Sequence, residues 1–193
     1  FEEQNITYRS CSNLRIHLSD ITTFAVHAIV NSANKSLLGG SGLDYVIHKK
    51  AGPLMKAECI KLNQEKGGCP TGQAEVTTAG NLPAKYLIHA VGPRWFNGER
   101  NEPQLLCDAY SNALFKANAL HASTVSFPNI STGVYGFPRQ LASEIAIGTI
   151  LSLLHKYEYV EEVFFICREE ENFIIYKNIL LNIEDPNIQI LIS

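Results

Sequence analysis

The sequence has few cysteines, and their spacing argues against a disulfide framework or a zinc ribbon, both of which need regular pairs. The five are Cys11, Cys59, Cys69, Cys107 and Cys167, an odd number with no C-x-x-C pair. We therefore expect reduced cysteines that pack as small buried apolar residues, which is typical of a reducing cytoplasm. The sequence also lacks a visible secretory signal and any apolar run near the ~20 residues that cross a bilayer. These absences predict a cytoplasmic protein with no membrane partner.

Positive charge is also scarce. The chain has 16 Lys and Arg against 19 Asp and Glu, which gives a net charge of -3 at pH 7. A general nucleic-acid binder usually carries a basic patch or a high pI, so nucleic acid is not an expected partner. A length of 193 residues fits one domain, and a hydrophobic fraction of 46% is ample for a core. Because the first residue is Phe1 and not Met, the sequence leaves open whether it is part of a longer chain.

Short apolar runs alternate with longer amphipathic stretches along the chain. The runs predict strands near residues 13–18, 28–31, 73–77, 86–90, 124–128 and 160–167. The stretches predict helices near residues 22–27, 55–66, 103–120, 138–156 and 172–181, and one more that starts near residue 44. The tail at 187–192 alternates as well, as an edge strand or a segment that packs on a neighbouring chain would. Strands buried on both faces predict an α/β fold, a three-layer α/β/α sandwich with a mixed, largely parallel central sheet.

Polar residues cluster directly after the second predicted strand. Asn31 and Asn34 precede a glycine-rich turn, and Asp44 and His48 follow that turn four residues apart. At this spacing a carboxylate and an imidazole lie on one face of a helix. A strand-to-helix junction with free N–H groups suits a phosphate. The turn lacks the G-K-[ST] ending of a P-loop, which argues against a nucleoside triphosphatase.

Each of these residues also has an ordinary structural interpretation. Asparagine stabilises turns through its side chain. Asp44 and His48 form an i,i+4 helix pair worth ~0.2–0.5 kcal/mol, which is the default interpretation without further context. Asp20, which follows the first predicted strand, is by default a helix cap. The strand–loop–helix unit at residues 124–138 can supply more N–H groups to the same phosphate.

Several segments together carry a family resemblance. The longest are residues 31–34 (N-S-A-N), 37–53 (L-L-G-G-S-G-L-D-Y-V-I-H-K-K-A-G-P) and 130–138 (I-S-T-G-V-Y-G-F-P). Shorter segments, S-D-I-T, G-C-P-T-G, L-P-A-K-Y and H-A-V-G-P, fit the same pattern in order. The sequence resembles the macrodomains, and among them the MacroD-type branch that includes bacterial O-acetyl-ADP-ribose deacetylases. The resemblance covers about residues 14–181, which implies a single macrodomain over residues 1–193 with a short N-terminal arm and a C-terminal tail.

The resemblance implies a ligand, ADP-ribose or O-acetyl-ADP-ribose, and assigns the parts of its site. It implies that Asp20 accepts a hydrogen bond from the adenine amino group, beside Ile21 and Arg168. Two loops would hold the pyrophosphate, and their residues are Gly40, Ser41, Gly42, Leu43, Ser131, Thr132, Gly133 and Val134.

The distal ribose is assigned to a third set of residues by the same resemblance. Asn34 would bind its hydroxyls with Asn31 in a supporting role, and Tyr135 would pack on the sugar. The implied catalytic residues are Asp44, His48 and Asn34. We expect Asp44 to orient or deprotonate the attacking water and His48 to hold Asp44. The implied substrates are O-acetyl-ADP-ribose and mono-ADP-ribose esters on acidic side chains of proteins, with no cofactor and no metal.

Three residues depart from the pattern of the family. Ser41 replaces a glycine of the phosphate loop, and if that position needs positive φ it costs stability or shifts the loop. Tyr45 replaces a small residue after the aspartate, where it either packs harmlessly or narrows the entrance. Arg168 replaces an aromatic residue near adenine, and its guanidinium plane can stack on the base instead.

Three functional hypotheses follow. The first is a hydrolase of ADP-ribose esters, because a protein that only binds the ligand has no need of Asp44 and His48. The second is a non-catalytic ADP-ribose reader, which Ser41 and Tyr45 favour. The third is a regulator that binds nucleic acid or protein through its surface, and the acidic net charge speaks against the nucleic-acid form.

Overall fold

A computed structural model describes residues 11–192, and the bounds of their secondary structure follow. The strands are β1 Ser12–Leu18, β2 Ala28–Ala33, β3 Ala74–Thr78, β4 Tyr86–Val91, β5 Thr124–Phe127, β6 Glu162–Cys167 and β7 Ile188–Ile192. The helices are α1 Gly42–Ala51, α2 Pro53–Lys66, α3 Glu102–Ala119, α4 Arg139–Leu154 and α5 Glu170–Leu181. A 3₁₀ turn at Ile21–Thr23 follows β1. Apart from residues 11 and 12, the predicted N-terminal arm lies outside the described residues.

The strands form one seven-stranded sheet in the order β3-β4-β2-β5-β6-β1-β7. Only the β3–β4 pair is antiparallel, and the other neighbours are parallel. The predicted mixed, largely parallel sheet is therefore confirmed. The tail forms β7 beside β1 and is an edge strand, so the sheet continues past residue 181.

Two helical layers cover the two faces of the sheet. Helices α3, α4 and α5 pack on one face, with Ala28 and Val30 of β2 in the same cluster of buried residues. Helices α1 and α2 pack on the other face, with Ile29 and Ala33 of β2 in that cluster. Because successive side chains of a strand point to opposite faces, β2 contributes to both layers. This arrangement is the predicted three-layer sandwich.

The predicted helix at residues 22–27 is wrong. The 3₁₀ turn ends at Phe24, whose backbone is extended, with φ -89° and ψ 115°. The Phe24 ring lies 5.1 Å from that of His17 and 5.0 Å from that of Phe164. Val26 is buried. Packing of these side chains against the sheet overrides the local preference for a helix, because tertiary contacts outweigh small differences in propensity.

All five cysteines have free thiols, but they are not uniformly buried. Cys59, Cys69 and Cys167 are buried, whereas Cys107 is half-buried and Cys11 is exposed. The expectation of burial is therefore wrong for Cys11, which precedes β1. Burial raises the pKa of Cys59, Cys69 and Cys167 to about 11 in each case. Such thiols stay protonated at neutral pH and are poor nucleophiles. No helix among residues 11–192 is long and apolar enough to cross a membrane.

Candidate active site

A cleft of about 900 Å³ opens at the carboxyl ends of four adjacent strands, β2, β5, β6 and β1. Ligands of parallel α/β sheets bind at this end. Two further segments line the cleft, the start of α1 and the loop that precedes α4. Every predicted site residue lines the cleft except Asn31 and His48. Both of those lie against Asp44, which does line it.

The glycine-rich turn brings backbone close to two functional side chains. An added Cβ on Gly40 would lie 3.1 Å from Asn34 Nδ2 and 3.1 Å from Asp44 Oδ2. Asn34 is itself fixed, since its Nδ2 donates to Gly39 O at 2.8 Å and its Oδ1 accepts from Ser36 Oγ at 2.8 Å. A glycine at position 40 is therefore what allows the turn to pass this closely over both side chains.

Position 41 does not need positive φ, so the condition under which Ser41 would cost stability is not met. Ser41 has φ -99° and ψ 175°, which is extended backbone that any residue adopts. The positive φ angles of the turn fall on Gly39, at 103°, and Gly42, at 61°. Ser41 is the N-cap residue of α1 but makes no side-chain cap hydrogen bond. The first N–H groups of α1 lack intrahelical acceptors and are free to bind an anion.

The loop before α4 forms the opposite wall. Ser131 has φ 67°, a left-handed conformation that is uncommon for a residue with a side chain. Its carbonyl accepts from the N–H of Phe137 at 2.9 Å, which closes the loop. The buried Ser131 Oγ has no hydrogen-bond partner among the described residues. Strained residues of this kind persist where the surroundings hold them, and they are frequent in ligand-binding loops.

The two carboxylate oxygens of Asp20 have different surroundings: one accepts hydrogen bonds from Thr22, and the other has only a long contact with Lys50. Its Oδ1 accepts from the N–H of Thr22 at 2.9 Å and from Thr22 Oγ1 at 2.7 Å, which caps the 3₁₀ turn. Its Oδ2 lies 3.5 Å from Lys50 Nζ. The hydrogen bond from the Thr22 side chain is the main cause of the lowered pKa of Asp20. Capping and ligand binding are thus compatible, because they use different oxygens.

Asp44 is the most enclosed carboxylate of the cleft. It is 5% exposed, and its Oδ1 accepts from Asn31 Nδ2 at 2.7 Å. His48 Nε2 lies 3.4 Å from the same oxygen but is not in hydrogen-bond geometry. The hydrogen bond that holds Asp44 thus comes from Asn31, for which the sequence predicted only a supporting role.

Tyr45 lies outside the cleft. Its side chain is 58% exposed, and it is not one of the lining residues. Adjacent helix positions differ by roughly 100° around the axis, so Tyr45 faces away from the buried Asp44. Tyr45 therefore does not form part of the wall of the cleft.

His48, Cys59 and His89 bring their possible ligand atoms within 4.8 Å of one another, which is close enough for a metal ion. The chemistry of the set does not suit one. His89 Nε2 faces Thr77 Oγ1 at 2.9 Å, and that hydroxyl donates its own proton to Thr78 O. The Nε2 atom is therefore an N–H donor, and a donor has no lone pair to offer a metal.

The comparisons with known proteins agree on one family. The family model described as Macro domain matches residues 30–146. The chain belongs to the macrodomain family. It is 83% identical over 181 residues to a Macro domain-containing protein of Acinetobacter sp. (strain ED45-25), covering 93% of this chain and 99% of the relative.

Two further comparisons carry information on ligands of related macrodomains. The O-acetyl-ADP-ribose deacetylase of Escherichia coli (strain K12) is 50% identical over 168 residues, which covers 86% of this chain and 95% of the relative. The Oceanobacillus iheyensis macrodomain, solved with ADP, has a TM-score of 0.82 and 37% identity. That match covers 86% of this chain and 88% of the other.

The sequence prediction missed several residues that line the macrodomain cleft, and two of them, Arg94 and Asn172, have features that suit ligand binding. Arg94 lines the cleft, and its guanidinium lies 5.7 Å from the ring centroid of Tyr135. Asn172 also lines it, is 5% exposed, and has an Oδ1 without a partner among the described residues. A signal existed for Asn172, which shares the buried stripe of α5 with Tyr176 and Leu180. A buried polar side chain needs a hydrogen-bond partner, and a ligand in the cleft can supply one to Asn172.

Glu102 orders the loop that follows Arg94. Its side chain is buried, and its carboxylate accepts four backbone N–H groups, from Phe96, Asn97, Gly98 and Arg100, at 2.6–3.2 Å. Burial opposes ionisation, but these donors outweigh it and lower the pKa of Glu102 to about 2. The stability that this carboxylate contributes is fully present above its unfolded pKa of 4.5 and is lost as the pH falls towards 2.

We expect Glu102→Gln to be less stable than wild type at neutral pH. A neutral amide has one acceptor oxygen in place of two charged ones, so it accepts hydrogen bonds from four N–H groups less well than a carboxylate does. Its unfolding midpoint in urea should fall less than that of wild type between about pH 6 and about pH 3. Glu99→Gln, an exposed neighbour in the same loop, is the control and should follow wild type. Parallel pH curves for wild type and Glu102→Gln would contradict the assignment.

Proposed function

We propose that this macrodomain binds ADP-ribose in its cleft and hydrolyses the ester of O-acetyl-ADP-ribose. One observation carries the proposal: the enclosed Asp44 carboxylate, held by Asn31, lies against the glycine-rich turn of the cleft at the carboxyl ends of the strands. The relative that is half identical over 86% of this chain is named for this activity.

Backbone groups more than side-chain charge account for binding of the pyrophosphate. Three cations line the cleft, Lys50, Arg94 and Arg168, but three carboxylates line it too, namely Asp20, Asp44 and Glu169. Side chains therefore supply little net positive charge. The free N–H groups of the α1 start, together with the 131–135 loop, are the anion-binding elements that remain.

The two ends of the cleft suit the two ends of ADP-ribose. Near β1 and β6, Asp20 Oδ2 and Asn172 Oδ1 are acceptors that can meet the adenine amino group, and Arg168 can stack on the base. Near β2, the Asn34 amide is oriented by Gly39 and Ser36, so it can bind ribose hydroxyls in one direction only.

Ester hydrolysis then needs a water aimed at the acyl carbon. Asp44 Oδ1 is occupied by Asn31, whereas Oδ2 lies next to Gly40 on the cleft side and can accept a proton from that water. The attack forms a tetrahedral oxyanion, whose collapse releases acetate and the ribose hydroxyl once the leaving oxygen is protonated. Positioned acid–base groups contribute ~10²–10⁴-fold to rates of this kind.

The same chemistry extends the proposal to mono-ADP-ribose esters on Asp and Glu side chains of proteins, since these also join a carboxyl group to ribose. The proposal includes one macrodomain over residues 1–193, whose core extends beyond the expected range of about 14–181 to include β7. It also includes a cytoplasmic location, which five free cysteines support.

The reader hypothesis has lost its two arguments from the sequence. Ser41 adopts ordinary extended backbone, and Tyr45 is outside the cleft. Neither residue therefore gives a physical reason for a site that binds without turnover. The hydrolase is the better supported function.

We expect wild-type protein to release acetate from O-acetyl-ADP-ribose without added metal, and Asp44→Ala to lose at least about 100-fold in kcat. Calorimetry should show that the variant still binds ADP-ribose, because the base and pyrophosphate contacts remain. Tyr45→Ala is the matched control, since it removes the next side chain of the same helix, and it should keep its turnover.

Other outcomes separate the remaining hypotheses. Binding of ADP-ribose by folded wild-type protein without turnover would select the reader. Salt-dependent RNA binding that free ADP-ribose does not displace would select the surface regulator.

We expect Gly40→Ala to lower kcat/KM by about 10-fold, because its Cβ presses on Asn34 and Asp44 and small displacements at a reacting centre are costly. The urea midpoint should fall only modestly, since a shift of a few tenths of an ångström at the ends of these two side chains relieves the contact without breaking the fold. Gly148→Ala is the control, because it lies inside α4 with no atom within 4 Å of the added Cβ. Equal activity of the two variants would count against close packing at position 40.

A further inference from the structure

A buried chain of hydrogen bonds runs from β3 to the Asp44 carboxylate. Thr77 Oγ1 lies 2.9 Å from His89 Nε2, and His89 Nδ1 lies 3.3 Å from Asn31 Nδ2. The same Asn31 nitrogen donates to Asp44 Oδ1 at 2.7 Å. Thr77, His89, Asn31 and Asp44 are each at most 5% exposed, so water does not compete for these contacts. His89 has no role in the function proposed so far.

Sheet register brings His89 beside Asn31. Asn31 on β2 and His89 on β4 are directly paired in two neighbouring parallel strands, so their side chains leave the same face of the sheet. Helices α1 and α2 cover that face and carry Asp44 and Cys59. The contact is therefore fixed by the backbone of the sheet and not by a flexible loop.

The protons of this chain can be assigned from its ends. The Thr77 hydroxyl donates a hydrogen bond to Thr78 O at 2.9 Å. Its oxygen therefore accepts a hydrogen bond from the N–H at His89 Nε2. A neutral imidazole with its proton on Nε2 has a lone pair on Nδ1, which accepts from the Asn31 amide. Burial is the main cause of the lowered pKa of His89, about 4, so the ring is neutral at neutral pH.

This lone pair determines how the Asn31 amide is oriented. One Nδ2 hydrogen points to His89 and the other to Asp44, while Asn31 Oδ1 has no partner among the described residues. If the amide turned over, its oxygen would face both the His89 lone pair and the Asp44 carboxylate. The group between His89 Nδ1 and Asp44 Oδ1 must therefore be the NH₂ group of Asn31, because both neighbours are acceptors. His89 supplies one of these two acceptors.

We propose that His89 is a positioning residue for ester hydrolysis, whose neutral Nδ1 orients the Asn31 amide so that Asn31 holds the Asp44 carboxylate with one oxygen free towards the cleft. The inference rests on the proposed hydrolase function for its catalytic consequence. The orientation of the Asn31 amide itself does not depend on that function and can be measured separately.

Loss of the Asn31 contact should change the pH dependence of turnover, because hydrogen bonds to a carboxylate favour its charged form. The titratable or charged groups near Asp44 belong to several elements. His48 on α1, Cys59 on α2 and His89 on β4 interact with Asp44. The other charged or titratable side chains that line the same cleft are Asp20, Lys50, Arg94, Tyr135, Arg168 and Glu169. The variants described next change His89 or Thr77 and leave these other groups in place.

Two substitutions separate the two ring nitrogens. His89→Asn puts its amide oxygen near the position of Nδ1, so it can still accept from Asn31, but it loses the bond to Thr77. His89→Gln reaches the position of Nε2 and can still donate to Thr77, but it offers Asn31 no acceptor. A third variant, Thr77→Val, removes the contact at Nε2 together with the hydrogen bond to Thr78 O, leaves the contact at Nδ1 in place, and serves as the control for general damage to the buried chain.

We expect His89→Gln to lose about 10-fold in kcat for O-acetyl-ADP-ribose with little change in KM, because a misoriented catalytic group costs rate more than binding. The acid limb of its kcat/KM profile should move to higher pH. His89→Asn and Thr77→Val should keep the wild-type profile and most of kcat, even where urea unfolding shows a comparable loss of stability.

The Asn31 side-chain NH₂ resonances report the contact without any turnover. In ligand-free protein they should shift in His89→Gln and stay near wild type in His89→Asn. Equal loss of kcat in His89→Asn and His89→Gln, with unmoved acid limbs and equal Asn31 resonances, would overturn the proposal and leave His89 a packing residue. Absence of turnover in wild type would instead overturn the hydrolase function, and the Asn31 resonances would still decide whether His89 orients the amide.

Discussion

The hydrogen bond that Asn31 donates to Asp44 ties the centre of the sheet to the start of α1. One partner belongs to β2, which contributes to both buried layers, and the other lies in the first turn of the helix that borders the cleft. Because the contact is buried, breaking it leaves an unpaired carboxylate in a poorly hydrated place, which costs more than the bond itself contributes. The glycine-rich turn passes close to Asp44 and to Asn34, so the position of Asp44 also affects the fit of the turn.

The cleft carries no excess of positive charge, although its proposed ligand is an anion. Its cationic and anionic side chains balance, and the whole chain is slightly acidic. Backbone N–H groups at a helix start have fixed directions and carry no mobile counterion, so they recognise the shape of a pyrophosphate as well as its charge. A site of this kind also avoids the general attraction for nucleic acid that a basic cleft creates.

Prediction from the sequence succeeded where a pattern repeats along the chain and failed where a single contact decides. Short apolar runs located the strands to within a few residues, because a strand that is buried on both faces needs apolar side chains at nearly every position. The short helix at 22–27 failed because Phe24 and Val26 pack against the sheet. Ser41 looked like a strained replacement for glycine, but the left-handed positions are its neighbours Gly39 and Gly42. Backbone angles of this kind are not visible in residue types alone.

By itself the sequence determined the layered α/β fold, the two strand–loop–helix junctions and most residues of the cleft, since these are properties of short segments and of a family pattern. Only the tertiary structure decided which side chains meet. Asn172 reaches the cleft because it lies at the start of α5, whose later buried residues Tyr176 and Leu180 pack in the core, and Arg94 reaches the cleft beside Tyr135. His89 reaches Asn31 because β2 and β4, far apart in sequence, are neighbours in register. Contacts across a parallel sheet depend on strand order, and strand order results from the packing of the whole chain.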